Sequence, residues 1–207
     1  ASGEYVPYLN ARDQFVDTDR LRPRHFDDGV GGRCERRRHY RRGHIRGLEF
    51  SADYSNGPFS AYFNAALSKA IGTDVVTGQY NLDPDALAYA AQHWIHLDHD
   101  QRLTSSGGLS YAFAGHNRVG ANYVFGSGLR SDTDTVPNGG ELPSYLQVNL
   151  SAGHDFNADS GHPLHVQLAV INALDRSYQL RDGGGVGVFA PQWGPRRGAY
   201  LSLQQDF

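Results

Sequence analysis

Apolar and polar residues alternate at every second position in seven separate segments beyond residue 47. In the first segment, for example, Leu48, Phe50 and Ala52 alternate with Glu49 and Ser51. A period of two is typical of a β-strand whose two faces meet different environments. The predicted strands cover residues 48–54, 59–67, 103–113, 119–125, 146–156, 164–170 and 199–207.

The connections between these predicted strands alternate in length. Residues 56–58, 114–117 and 157–163 form tight turns or short loops, whereas residues 70–101, 128–144 and 175–197 form long loops. In an antiparallel meander this order places all long loops at one end of the sheet. Within the first long loop, Asp83 and Pro84 precede an apolar run to Gln92, which predicts a short helix capped by Asp83.

These features predict an all-β chain that forms a segment of an antiparallel transmembrane β-barrel. Its seven strands are about as long as the ~9–11 residues that a tilted strand needs to cross a bilayer, and one face is consistently apolar. Alone, such a segment would be an open curved sheet of a larger barrel. A soluble up-and-down barrel or sandwich with the apolar face inward produces the same alternation and remains the alternative.

Composition adds little to this picture. The longest apolar runs fall far short of a membrane-spanning helix, and Cys34 is the single cysteine, so no internal disulfide is possible. Methionine is absent, which favours an excerpt or a processed product.

Residues 1–47 differ from the rest in charge. They carry 11 Arg against 7 acids, a net +4, whereas residues 48–207 carry −7. The basic run at 33–42 shows neither strand nor helix periodicity, so residues 1–47 are predicted to be an irregular Arg-rich arm or loop. A nucleic-acid-binding arm and a frame-shifted stretch of a GC-rich gene are the other interpretations; because only Tyr40 offers a stacking ring, no nucleic-acid partner is expected.

Candidate chemistry lies mainly in the last long loop. A guanidinium pair beside a tryptophan suits an anionic or aromatic ligand, although the same residues could instead fasten the loop to its neighbours. The ligand-facing candidates are Arg181, Asp182, Trp193, Arg196 and Arg197.

Other chemistry is not supported by the sequence. His93, His96 and His99 have spacing for neither one strand face nor the common helical metal pair, so no metal site is assigned. No Gly-x-Ser-x-Gly, HExxH or CxxC motif occurs, and the glycine run at 183–187 lacks the residues of a phosphate-binding loop. Neither enzyme activity nor a cofactor is expected.

An ordered set of motifs in the carboxy-terminal part resembles the end of the barrel of TonB-dependent outer-membrane receptors. The motifs are Leu-Asp-His-Asp-Gln (97–101), Gly-Ser-Gly-Leu-Arg (126–130), Pro-Asn-Gly (137–139), Leu-Pro-Ser-Tyr (142–145), Val-Asn-Leu (148–150), Ile-Asn-Ala-Leu-Asp (171–175), Gln-Leu-Arg-Asp-Gly (179–183) and the loop 187–197. The likeness covers residues 47–207, which defines the second predicted domain as 48–207.

The resemblance implies an outer-membrane location and TonB-energised uptake of a scarce small-molecule ligand. In this family a barrel of about 22 strands encloses an amino-terminal plug, and the TonB complex acts through that plug. No plug and no TonB box are found in this chain, so the resemblance implies an incomplete receptor with outer-membrane lipid around it. A truncated, non-functional receptor product is a further alternative.

The final predicted strand resembles the signal that the barrel-assembly machinery reads by strand addition. Leu201, Leu203 and the terminal Phe207 fit that pattern, whereas Gln205 stands where an aromatic or apolar residue is usual.

Overall fold

The computed structural model describes residues 4–17, 40–75, 84–159, 161–183 and 190–206. The elements are β1 (Glu4–Asp17), β2 (Tyr40–Asn56), β3 (Phe59–Val75), α1 (Pro84–Gln92), β4 (Ile95–His96), β5 (Leu103–Phe113), β6 (Asn117–Gly126), β7 (Arg130–Ser131), β8 (Gly140–Glu141), β9 (Tyr145–Phe156), β10 (Leu164–Ile171), β11 (Gln179–Arg181), β12 (Gln192–Trp193) and β13 (Gly198–Gln205). No helix within these ranges is long and apolar enough to span a membrane.

The long strands form one antiparallel sheet in the order β1-β2-β3-β5-β6-β9-β10-β13, with β4 added beside β3. Each strand pairs with the next long strand along the chain, as in a meander. Over the described residues β1 and β13 do not pair with each other, so the sheet is open. This confirms the prediction of a partial β-barrel that forms an open sheet.

All seven predicted strands are present, and β1 is an additional long strand. Its register with β2 runs from Glu4 opposite Ser55 to Asp17 opposite Arg42. The expectation of an irregular segment over residues 1–47 is therefore wrong for residues 4–17 and 40–47. Backbone pairing does not require alternating side chains, and β2 continues as a strand beyond its apolar part; most of the basic run, 33–39, lies outside the described residues.

One face of the sheet is apolar across the long strands from β2 to β13. Because directly opposed residues of antiparallel strands lie on the same face, the register aligns the predicted apolar positions into continuous rows. One such row contains Tyr54, Ala61, Leu109, Ala121, Leu150, Val170 and Ala199. Its large side chains are exposed, with Leu109 at 50% and Leu150 at 48%.

This exposure argues against the soluble alternative. In a sandwich or a soluble barrel the apolar face would form the core, yet the buried apolar residues of the described chain are Ala90, Ile95 and Leu142. All three belong to the long connections rather than to the long strands. The apolar face of the sheet is therefore an outer surface, as in a membrane barrel.

The opposite face of the sheet is polar. The Ser60 and Ser110 hydroxyls lie 2.7 Å apart across β3 and β5, and the Asn149 amide donates to Asn122 Oδ1 at 2.7 Å across β9 and β6. These cross-strand contacts alternate with the apolar rows along each strand. The alternation places polar groups on one face of the sheet and apolar groups on the other.

We predict that an arginine is tolerated on only one face of β10. Leu168, opposite Ala152 and Leu201, lies on the apolar face, and the adjacent Gln167, opposite Gly153 and Ser202, lies on the polar face. Leu168→Arg should lower the unfolding free energy in phospholipid vesicles by about 2–4 kcal/mol near the bilayer centre. Gln167→Arg should change it by less than about 0.5 kcal/mol. Urea titration followed by circular dichroism measures both, and equal losses would contradict the assignment of the faces.

Candidate functional site

The three described long connections lie at one end of the sheet and contain the short elements. The first carries α1 and β4, the second the β7–β8 hairpin, and the third the β11–β12 pair. The predicted helix is confirmed as Pro84–Gln92, although Asp83 lies outside the described residues. In a receptor barrel this is the end with the long extracellular loops.

Asp100 is the centre of the contacts between the first two loops and β3. Its carboxylate is fully buried; Oδ1 accepts a hydrogen bond from Ala70 N at 2.8 Å, and Oδ2 lies 2.6 Å from His96 Nδ1. The Arg130 guanidinium, itself 6% exposed, reaches the same Oδ2 at 3.2 Å. A buried carboxylate needs charged or hydrogen-bonded partners, and here those partners belong to three different segments.

The β7–β8 hairpin is fixed by further contacts of the same network. Arg130 pairs with Glu141 at 2.9 Å across the hairpin, and Asn138 Nδ2 donates to His96 O at 2.9 Å. Gly128, with φ +102°, packs so closely on Leu142 O that a Cβ would clash with the backbone. The first two long loops therefore form one packed unit above the sheet.

Asn172 is the buried polar residue that joins the third long loop to the sheet. It is completely buried; its backbone N donates to Asn149 Oδ1 at 3.0 Å, and its side-chain amide donates to Arg176 O at 2.8 Å and Pro195 O at 2.9 Å. Its Oδ1 accepts from Arg176 N at 3.1 Å. The residue thus ties both ends of the loop to β9.

Asp175 and Arg196 close the base of the same loop. Arg196 Nε and Nη2 donate to the two carboxylate oxygens at 2.8 and 2.6 Å, and Arg197 N donates to Oδ1 at 3.0 Å. These donors hold the pKa of Asp175 well below its usual range, and the carboxylate raises the pKa of Arg196. The arrangement is a bidentate, charge-assisted pair.

Tyr178 packs the loop against the end of β9. Its ring stacks on Tyr145 with centroids 4.8 Å apart, and its hydroxyl donates to Gln147 Oε1 at 2.5 Å. Burial raises the pKa of Tyr178. Gly194 lies against this ring so closely that any side chain there would clash.

The five predicted ligand-facing residues lie in the third loop but differ in their environment. Arg196 is held by Asp175, and Arg181 lies 3.8 Å from Asp98 Oδ2 and contacts His99. Trp193 is 59% exposed and Arg197 is exposed, whereas Asp182 follows β11 directly and is half-buried. The Arg181 and Arg196 side chains thus lie near carboxylates of the protein, whereas Trp193 and Arg197 offer exposed side chains. The ligand role of all five residues stays a prediction.

The three clustered histidines contact different groups. His93 stacks on Tyr89 with centroids 4.2 Å apart, His96 contacts Asp100, and His99 Nδ1 lies 2.8 Å from Asp98 Oδ1. No group of three metal-ligating side chains is found among the described residues.

The sequence analysis did not identify Asp100, Arg130 and Asn172 as the residues that hold the long loops to the sheet and to each other. All three lie within motifs that carry the family resemblance, but a motif alone does not show which of its side chains is buried. In the sequence, the signal for Asn172 is a polar residue directly after the apolar end of β10. In the structure this residue has a φ of +47°, a conformation that asparagine tolerates.

In the terminal strand, Leu201 lies opposite Leu168 and Leu203 opposite Val166, so both belong to the apolar outer face. Phe207 lies outside the described residues. The assembly-signal role of these three residues is not tested by their position.

We predict that Asn172 stabilises the third loop through its amide. Asn172→Gly permits the positive φ but removes the side-chain hydrogen bonds, so it should lower the unfolding free energy by about 1–3 kcal/mol. Asn172→Ala should cost more, since it adds backbone strain. Urea unfolding of both variants in micelles measures the difference; if Asn172→Gly is as stable as the parent chain, the hydrogen bonds are not what holds the loop.

A second prediction concerns the loss of the Asp175 contacts at low pH. Because the native pKa of Asp175 is lowered, its stabilising effect is complete above the ordinary carboxyl pKa of about 3.9. It decreases as the pH falls below that value and is lost once the pH passes the native pKa. The Arg197 amide, which donates to Asp175, should keep its hydrogen-exchange protection at neutral pH and lose it in strong acid.

Asp175→Asn should remove that protection already at neutral pH. Asp134→Asn, which removes an exposed carboxylate from another long loop, is the matched control and should leave the Arg197 amide unchanged. Protection that falls equally in both variants would show a general charge effect instead of a local contact.

The geometry described above agrees with a family comparison. The family model described as "TonB dependent receptor-like, beta-barrel" matches residues 8–173. This match begins well before residue 47 and includes β1 from Tyr8 onward, so the family likeness extends further toward the amino terminus than the sequence motifs indicated. No curated protein matches the chain. The match covers well over half of the chain, and together with the open antiparallel sheet it shows that this chain belongs to the TonB-dependent receptor family, of whose β-barrel it forms a portion.

Proposed function

We propose that this chain is part of an outer-membrane receptor that takes up a scarce small-molecule ligand with energy supplied through TonB. The observation that carries the proposal is the combination of an exposed apolar face over the long strands with fastened long loops at one end. The family is one of outer-membrane transporters, which agrees with this architecture.

The proposed orientation follows from the two faces of the sheet. In this proposal the apolar rows contact outer-membrane lipid, the polar face lines the lumen, and the long loops face the cell exterior. A ligand arriving from outside therefore meets the third loop first. Within it, Trp193 and Arg197 offer exposed surface for an anionic or aromatic ligand, while Arg181 and Arg196 contact Asp98 and Asp175 and Asp182 is half-buried.

Two protein partners are proposed. The TonB complex is proposed to act through a plug domain of the receptor, as the family resemblance implies. The barrel-assembly machinery is proposed to read the terminal strand through Leu201, Leu203 and Phe207 by strand addition.

The uptake proposal is tested in the host cell. Deleting the gene should abolish growth on one limiting nutrient from a panel of iron chelates, cobalamin, oligosaccharides and peptides. Disabling TonB should abolish the same growth, and expression of the gene should restore it only when TonB is active. Growth that is independent of TonB on every nutrient would overturn the proposal.

We further predict a role for Trp193 in ligand capture. Trp193→Ala removes an exposed ring that can stack on a ligand, so the ligand concentration for half-maximal uptake should rise about tenfold, as expected for the loss of one stacking or cation–π contact. Trp94→Ala is the control, because Trp94 is also exposed, at 47%, but lies in the first loop. Equal effects of the two substitutions would contradict a specific role for Trp193.

A further inference from the structure

A pocket of about 570 Å³ lies on the polar face of the sheet, near the end with the short turns. Its volume is within the ~300–1,000 Å³ of small-molecule pockets. Two adjacent rows of directly opposed residues line it, and the second row begins beside the turn between β2 and β3. The rows are Asp53, Tyr62, Gly108 and Asn122, and then Ser55, Ser60, Ser110, Gly120 and Ser151.

The Tyr62 ring forms one wall of this pocket. A Cβ at Gly108 would lie 2.6 Å from Cε1 of Tyr62, so the ring lies directly against the glycine backbone. The side chain is nevertheless 41% exposed. The ring is therefore supported by β5 and still accessible to a ligand.

Several hydrogen-bonding groups of the pocket are unused. Within the described part of the chain, the Asp53 carboxylate and the Tyr62 hydroxyl make no hydrogen bond or ion pair. Asn122 Oδ1 accepts from Asn149, which leaves the Asn122 Nδ2 group as a donor. The pocket thus offers a carboxylate acceptor, an amide donor and several hydroxyls, which both donate and accept.

The charge of the pocket is unsuited to an anion. None of the described residues that line it is basic. The basic residue of β6, Arg118, lies outside the pocket, with its guanidinium 3.2 Å from Asp155 Oδ1. An anionic ligand would meet the Asp53 carboxylate with no cation to balance the two charges. A neutral hydroxyl, in contrast, can donate to Asp53 or accept from Asn122.

We propose that this pocket binds a neutral, hydroxyl-rich ligand, namely the sugar rings of an oligosaccharide. Tyr62 packs against the C–H face of one ring, while Asp53 accepts from its hydroxyls and Asn122 donates to them. The inference rests on the proposed function, which places the polar face in the lumen, where a ligand reaches the pocket after it passes the long loops. Among the nutrients of the uptake test it selects the oligosaccharides.

The experiment is calorimetric titration of the chain with maltohexaose, xylohexaose and mannohexaose, in micelles of a detergent without a sugar headgroup. At least one of them should bind. Tyr62→Ala should weaken that binding about tenfold, because it removes the ring contact. Asp53→Asn should weaken it about fivefold, since the amide keeps one acceptor but loses the charge.

Two variants are matched controls. Tyr111→Ala removes an exposed ring, at 44%, from the apolar face of β5. Glu49→Gln removes a carboxylate from the polar face of β2, four residues or roughly 13 Å from Asp53. Both should bind the oligosaccharide as the parent chain does. Equal losses in Tyr62→Ala and Tyr111→Ala, or in Asp53→Asn and Glu49→Gln, would overturn the inference.

Competition separates the ligand classes. Ferric citrate, an anionic chelate, and acetylated, amidated tetraalanine, an uncharged peptide, should not displace the oligosaccharide at matching concentrations. Displacement by either compound would overturn the assignment of a hydroxyl-rich ligand. Added salt should leave the binding unchanged because the ligand is neutral, and a strong salt dependence would contradict this.

Circular dichroism records whether the chain has its strand structure in the micelles. A folded chain that binds none of the three oligosaccharides at millimolar concentration defeats this inference alone, since the uptake proposal is decided by TonB-dependent growth. Failure to fold with any amphiphile defeats the proposed function and, with it, this inference.

Discussion

Backbone hydrogen bonding between neighbouring strands is the constraint on which the rest of this structure depends. Lipid offers no replacement partner for an N–H or C=O group, so each strand of a membrane sheet must pair along its length. In this chain every internal long strand pairs on both sides in chain order, from β2 to β10. The same pairing sets the register, and the register decides that apolar side chains of all these strands appear on one face.

The open edges of the sheet follow from the same constraint. β1 and β13 each have one unpaired side among the described residues, and such edges are costly in lipid. Such edges are expected of a portion of a barrel, whose outer strands pair with strands that lie outside that portion. The family assignment and the open geometry therefore support each other.

The long loops are held by a different kind of interaction. Asp100 and Asn172 are buried polar groups whose hydrogen bonds join segments far apart in the chain, such as Asp100 with Ala70 and Asn172 with Asn149. A buried polar group is stable only when its partners are in place, so each residue specifies one arrangement of its loop. These hydrogen bonds explain how long connections can hold exposed residues such as Trp193 and Arg197 in a defined position.

The sequence by itself determined the strands and their faces, because alternation along one strand is a local property that needs no partner to be recognised. It determined neither β1, which lies in the Arg-rich amino-terminal part, nor the burial of Asp100 and Asn172. Tertiary structure alone decided these features, since β1 is recognised by its register with β2, and a polar side chain becomes a fastening point only where distant segments meet around it. It also separated Arg196, paired with Asp175, from the exposed Trp193. That difference depends on which carboxylate lies within reach, and spacing along the chain does not contain this information.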